Sequence, residues 1–148
     1  MSISWSEIFL QGAEIDFGQL LEQWSPLVSG KIQPIGLSAF GDIYFLQPDG
    51  SVKVLDVLEG AVHEVAESQR AFGECMNSKE WQDSNLMPEV VWQLQNRGLV
   101  RKPGEVYGFA PHPSLAGKVS PETAMVMDAF VWHSICAQLL GPSANRQA

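Results

Sequence analysis

The feature of this sequence that most restricts its fold is a series of four short β-rich runs separated by tight turn signals. The runs are residues 35–40, 42–47, 51–57 and 61–66. The turns between them are Gly41, Pro48-Asp49-Gly50 and Leu58-Glu59-Gly60. Proline fixes φ in such turns and glycine supplies a positive φ, so the chain can reverse direction within a few residues. The pattern therefore predicts an antiparallel β-meander of about four to five strands within residues 32–66.

Helical periodicity precedes the meander, in residues 1–31. Two sets of apolar side chains recur at helical spacing there: Trp5, Ile8, Phe9 and Leu10, and then Phe17, Leu20, Leu21 and Trp24. Asp16 is a suitable N-cap for the second helix, and Pro26 ends it. This part is therefore predicted to be helical and to pack against the sheet.

Residues 67–142 are predicted to be mainly helical as well, with one short extended segment near residues 101–111. Ser68 is a suitable N-cap for the first helix of this part, while Pro88 and Gly98 frame the next one. The sequence therefore predicts an α+β fold in which helices from both ends of the chain pack with the meander.

The last helix is predicted to begin at Ser120-Pro121 and to end at Gly141, because apolar residues recur every four positions between them. Those residues are Met127, Val131, Ile135 and Leu139. The polar residues 143–148 are predicted to form a frayed tail.

Length and composition favour a single domain over residues 1–148. Hydrophobic residues make up 45% of the chain, which is enough to bury one core. The first residues lack the basic start and apolar run of a secretory signal, and no apolar stretch approaches the ~20 residues that cross a bilayer. We therefore expect a cytoplasmic protein that does not bind membranes.

The chain is acidic, with 17 Asp and Glu against 9 Lys and Arg and a formal net charge of −8. This balance argues against direct binding to nucleic acid or to an anionic membrane. A partner with a basic surface is compatible with it. The alternative is that the acidity serves solubility alone.

The residues that could form a metal or catalytic site follow no known pattern. The histidines His63, His112 and His133 show no zinc-binding spacing; His133 and Cys136 could share a metal ion, but a structural site normally needs four ligands. Cys75 and Cys136 fall on separate predicted helices and are expected to be reduced thiols. The sequence also lacks a nucleophile elbow and a phosphate-binding glycine loop. We therefore expect no metal, no cofactor and no enzymatic activity.

Acidic residues concentrate in and around the meander. Either they form a solvated face, or they form a recognition surface for Lys and Arg side chains of a partner. Trp81 is a candidate anchor for such a surface, because its short predicted helix is otherwise polar. The predicted partner contacts are Asp42, Asp49, Asp56, Glu59, Glu64 and Trp81.

Several segments, in their order and spacing, resemble one bacterial family. The segments are Ser38-Ala39-Phe40-Gly41-Asp42-Ile43-Tyr44-Phe45, Pro48-Asp49-Gly50, Val54-Leu55-Asp56-Val57, Ala66-Glu67-Ser68, Gly104-Glu105-Val106-Tyr107-Gly108-Phe109 and Pro113-Ser114-Leu115-Ala116-Gly117-Lys118. They are similar to the carboxy-terminal domain of the immunity proteins that protect against type VI secretion DNase toxins, a domain often found after a GAD-like domain. The resemblance covers residues 35–140. It implies a non-enzymatic protein that binds and blocks a cognate toxin in the cytoplasm of the producing cell.

Two other functions stay open at this stage. One is a module that binds a small ligand or peptide, or acts as a scaffold, which a deep apolar pocket with convergent polar groups would favour. The other is a hydrolase, which would need the carboxylates, or His63 and His112, to meet in one cleft with strongly perturbed pKa values.

Overall fold

The predicted meander forms an antiparallel sheet of five strands in the computed structural model, which describes residues 3–11, 15–116 and 120–142. The strands lie side by side in sequence order: β1 (Phe9–Leu10), β2 (Gln33–Ser38), β3 (Ile43–Leu46), β4 (Val52–Asp56) and β5 (Ala61–Ala66). Pairing of Ile43 with Leu55 and of Val54 with His63 fixes the register of the last three strands. The α+β fold class predicted from the sequence is therefore confirmed.

The edge strand β1 lies in the part of the chain that was predicted to be wholly helical. Phe9 and Leu10 pair with the end of β2 through Ser38 and Leu37, and both are buried. Local periodicity cannot detect this pairing, because its partner strand lies more than 25 residues along the chain.

Seven helices occupy the described ranges. They are α1 (Trp5–Ile8), α2 (Phe17–Glu22), α3 (Gln69–Met76), α4 (Lys79–Asn85), α5 (Pro88–Asn96), α6 (Pro113–Ala116) and α7 (Ala129–Leu140). The predicted caps are present, because Asp16 accepts a hydrogen bond from the Gln19 N–H and Ser68 accepts one from the Ala71 N–H. Within the described residues, no helix combines the length and the apolar character that a membrane crossing requires.

The final helix begins later than the sequence pattern predicts. Residues Pro121–Thr123 form a short 3₁₀ turn, and β7 (Ala124–Asp128) pairs with β6 (Glu105–Phe109) in a separate two-stranded sheet. Met127 therefore lies in a strand, and α7 starts at Ala129 with Asp128 as its N-cap. Because β6 is buried, its backbone groups need partners, and β7 supplies them.

Some predictions concern residues outside the described ranges, and the prediction on the cysteines is confirmed. The frayed tail at residues 143–148, and Gly117 and Lys118 of the family resemblance, lie outside the described ranges. Cys75 on α3 and Cys136 on α7 carry free thiols, as predicted.

Helices and the second sheet pack around the meander to form one core. On one side, Phe72 of α3 stacks on Tyr44 of β3 with ring centroids 5.5 Å apart. Elsewhere, the Tyr107 N–H in β6 donates to the Ala39 carbonyl, which joins the two sheets. The Trp132 indole on α7 donates to the Phe40 carbonyl at 2.9 Å. These contacts fix the end of the meander at which Asp42 lies.

Candidate functional site

Strand register brings acidic and aromatic side chains to one end of the sheet. Asp42 immediately precedes β3 and Asp56 ends β4, so the pairing of Ile43 with Leu55 places the two aspartates close together. Tyr44 pairs with Val54, which pairs with His63 on β5. Because side chains alternate along strands, these five residues share one face of the sheet.

Helix α4 and the start of α5 cover this face and enclose a pocket of about 290 Å³. We call it the acidic pocket; it is lined by Asp42, Tyr44, Val54, Asp56, Leu58, His63, Glu64, Val65, Trp81, Ser84, Asn85 and Met87. No Lys or Arg of the described residues lines it. Among the described residues, the pocket therefore gathers carboxylates beside aromatic rings, with His63 as the one titratable nitrogen base in its wall.

The turn between β4 and β5 forms one rim of the acidic pocket. Asp56 Oδ1 accepts hydrogen bonds from the N–H groups of Leu58 at 2.9 Å and Glu59 at 3.0 Å, which fixes the turn. Glu59 then places its carboxylate 2.9 Å from Nε2 of His63. Ligand atoms of Asp56, Glu59 and His63 all lie within 4.8 Å of one another. Such a group could hold a metal ion by spacing alone, although exposed acidic groups are common without one.

Desolvation and like charge act on Asp42. Burial shields its carboxyl group from much of the solvent, and the group faces the negative charge of Asp56; these two causes raise its pKa to about 7. The Val57 N–H, which donates to Asp42 Oδ1 at 3.0 Å, opposes the shift. Burial, followed by the charges of Asp42 and Asp56, also raises the pKa of Tyr44. The negative charge in the pocket is therefore only partly offset by internal hydrogen bonds.

Five of the six predicted partner contacts meet at this pocket. Four line it, and Glu59 stands on its rim; the four are Asp42, Asp56, Glu64 and Trp81. Glu64 pairs with Lys53, so strand alternation places its side chain on the face opposite His63, at the edge of the pocket. Asp49 does not join them, because it lies in the turn at the other end of the β3–β4 hairpin. There its carboxylate accepts hydrogen bonds from Ser51 N–H at 3.0 Å and Ser51 Oγ at 2.7 Å. The Asp49 side chain therefore serves its own turn.

Trp81 is half-buried, whereas the sequence suggested an exposed anchor on an otherwise polar helix. Its ring makes edge contacts with Tyr44 and with Phe72, each with centroids 5.9 Å apart. One side of α4 therefore rests on the aromatic core, and the same tryptophan forms part of the pocket wall.

Sequence reasoning missed several lining residues. Tyr44 could have been found from strand alternation with Asp42, and Ser84 and Asn85 from their helical spacing to Trp81. Met87 gave no such signal, since it occupies the N-cap of α5 with φ 51°.

The three histidines lie in different environments. His63 is exposed in the acidic pocket, whereas His112 is buried and stacks on Trp132 with centroids 5.3 Å apart. Both ring nitrogens of His133 are engaged: Nδ1 accepts from Trp24 Nε1–H, and Nε2–H donates to the Gly41 carbonyl. His133 therefore has no lone pair left for the metal site that its spacing to Cys136 suggested. The carboxylates of Asp56 and Glu59 lie close to His63. His112 is not part of this group.

Comparison with known proteins informs the fold. No protein-family model matches the chain, and no curated protein sequence matches it. A solved structure, the crystal structure of Atu4351 from Agrobacterium tumefaciens, is similar over 82% of this chain, with 21% sequence identity and a TM-score of 0.58. The chain spans 62% of the length of that protein. This likeness shows a shared fold alone, so the resemblance to the immunity family stays a prediction.

Proposed function

We propose that this protein is a bacterial, cytoplasmic binding protein that neutralises a cognate toxin by covering a basic surface on it. The observation that carries the proposal is the meeting of Asp42, Asp56, Glu59, Glu64 and Trp81 around one concave face. Acidic side chains around an aromatic anchor suit a basic protein surface, since charge complementarity speeds association and fixes orientation.

The toxin class comes from the family resemblance. A DNase must present a basic surface to the DNA backbone, and an acidic protein can occupy that surface in place of DNA. The formal net charge of −8 agrees with this role. A type VI secretion nuclease is therefore the partner that we propose.

Internal hydrogen bonds fix the two aspartates of the pocket. Asp56 Oδ1 accepts two backbone N–H groups of its own turn, and Asp42 Oδ1 accepts the Val57 N–H. Ser38 Oγ donates to Asp42 Oδ2 at 3.5 Å. Each carboxylate keeps further lone pairs with which it can accept a hydrogen bond from a partner.

Co-expression tests this proposal. The protein is produced together with the effector encoded beside its gene, and complex formation and growth are followed. We expect a stable complex that weakens as salt increases, and protection of cells from the effector. The immunity function would be ruled out if the adjacent effector is toxic but neither binds the protein nor is neutralised by it.

A hydrolase is the second candidate, because one specific observation favours it. Asp42, with a pKa of about 7, shares the acidic pocket with His63 and Asp56, and groups with such pKa values can act as general acids or bases. Chromogenic esters, phosphates and glycosides test this function directly. Turnover by the wild type that is lost in Asp42→Asn would support the hydrolase, and no turnover in either protein would remove it.

A small-ligand or peptide module is the third possibility. The pocket volume of about 290 Å³ favours it, but the walls are rich in carboxylates rather than apolar. A ligand for this pocket would need to be cationic.

A further inference from the structure

The size of the acidic pocket limits what can enter it. Its volume of about 290 Å³ lies at the lower end of the range for ligand pockets. A group as large as a single long side chain fits this volume, whereas a nucleotide or an oligosaccharide would extend beyond it.

The wall chemistry selects for positive charge. The rings of Tyr44 and Trp81, with centroids 5.9 Å apart, stand beside the carboxylates of Asp42 and Asp56. An aromatic face attracts a cation through its quadrupole, and a carboxylate attracts it through its charge. The same walls repel phosphates and other anions.

Two of the described basic side chains form ion pairs away from the pocket. Arg70 pairs with Glu74 along α3, and Lys79 pairs with Asp83 along α4, both on the exposed helix surface. In the pocket, the pairing of Ile43 with Leu55 brings the carboxylates of Asp42 and Asp56 close together, and no Lys or Arg of the described residues lines the wall beside them. A cation from outside would relieve the repulsion between the two carboxylates.

We infer that the acidic pocket binds one arginine side chain of the partner, with its guanidinium group held between the Trp81 ring and the carboxylates of Asp42 and Asp56. This inference rests on the proposed function, because it names what the basic partner contributes. Guanidinium is preferred over ammonium, since it is planar, weakly hydrated, stacks on aromatic rings and pairs with carboxylates through two N–H groups.

Titration with small probes tests the inference without the partner. The full chain, labelled with ¹⁵N, is titrated with butylguanidinium, butylammonium and the neutral butylurea, with EDTA present so that a metal at Asp56, Glu59 and His63 cannot contribute. We expect a saturable shift of the Trp81 indole N–H with butylguanidinium and a Kd of about 1–10 mM. Butylammonium should bind more weakly, and butylurea should produce no saturable shift.

Two variants locate the binding. Asp56→Asn keeps the oxygen that caps the turn and removes the charge, so it should fold and bind butylguanidinium about tenfold more weakly. Glu22→Gln, at an exposed glutamate of α2 outside the pocket, should bind as the wild type does. Equal shifts with butylurea, an unchanged Kd in Asp56→Asn, or no saturable shift at Trp81 would each overturn the inference.

The probe titration and the effector complex test the arginine pocket and the immunity function separately. Probe binding without any complex with the effector would keep the arginine pocket and remove the immunity function. A complex with the effector that Asp56→Asn leaves unchanged would keep the immunity function and remove the arginine pocket.

Discussion

The indole N–H of Trp24 donates a hydrogen bond of 3.0 Å to Nδ1 of His133, so the segment after α2 is joined to α7 through two buried side chains. Because Nδ1 accepts, Nε2 carries the proton, and it donates to the Gly41 carbonyl at 2.7 Å. Gly41 directly precedes Asp42. The imidazole therefore helps to hold the end of the sheet on which the acidic pocket is built.

Removing this imidazole should destabilise the fold. His133→Ala leaves the Trp24 N–H and the Gly41 carbonyl buried without their partner and opens a cavity, so we expect the free energy of unfolding to fall by about 3–5 kcal/mol. Chemical denaturation measures the change. His63→Ala, at an exposed histidine, is the control and should change the value by less than about 1 kcal/mol. Similar losses in both variants would contradict the bridging role.

Burial also makes His133 a source of acid sensitivity. Desolvation lowers its pKa from 6.5 to about 4 in the folded protein. Between these values the unfolded chain takes up a proton and the folded chain does not, so stability falls as the pH falls through this window. We expect His133 to contribute a loss of about 2–3 kcal/mol from pH 7 to pH 4. Unfolding curves of His133→Gln, whose amide does not titrate, should lack this contribution.

Asp42 should make stability depend on pH in the opposite direction to His133. Its folded pKa of about 7 exceeds its ordinary value of 3.8, so stability is lost as the pH rises from about 4 through 7. Asp42→Asn removes this loss, and we expect the variant to gain between about 1 and 4 kcal/mol relative to the wild type on going from pH 5 to pH 8. A difference between variant and wild type that does not change with pH would show that the Asp42 carboxyl is not perturbed.

The turn beside the pocket is sensitive to one added methyl group. At Gly60, with φ +69°, a Cβ atom would lie 2.6 Å from Leu140 Cβ and 2.8 Å from the Leu140 carbonyl oxygen. At Gly50, with φ +92°, a Cβ atom would meet nothing within 4 Å. Gly50→Ala should therefore cost only backbone strain of about 1 kcal/mol, and Gly60→Ala at least about 1 kcal/mol more. Thermal or chemical unfolding of the pair compares the two costs, and equal values would refute the close packing of this turn on α7.

Local signals explain why the meander could be predicted. Its turns contain glycine or proline at positions that require special φ values, and Gly41, Gly50 and Gly60 all have positive φ. The start of α7 could not be predicted, because the side chains of residues 124–128 suit a helix as well as a strand. These residues form strand β7 because Glu105 pairs with Asp128 and Val106 pairs with Met127, across more than 20 residues of sequence.

The acidic pocket was predictable in its parts but not in its shape. Strand alternation places Asp42 and Asp56 on one face of the sheet, and both were predicted as partner contacts. What the sequence does not show is that α4 folds back over this face and brings Trp81 against Tyr44. That contact turns an acidic edge of the sheet into one wall of a pocket.

The central claim is that the acidic pocket face binds a basic protein partner. The most direct test compares the Kd for the effector encoded beside the gene between Glu59→Lys and Glu22→Lys. Both replace an exposed glutamate and change the net charge equally, but only Glu59 stands on the rim of the pocket. We predict that Glu59→Lys weakens the complex at least about tenfold and that Glu22→Lys changes the Kd by no more than about threefold. Equal effects of the two substitutions on the Kd would contradict the claim.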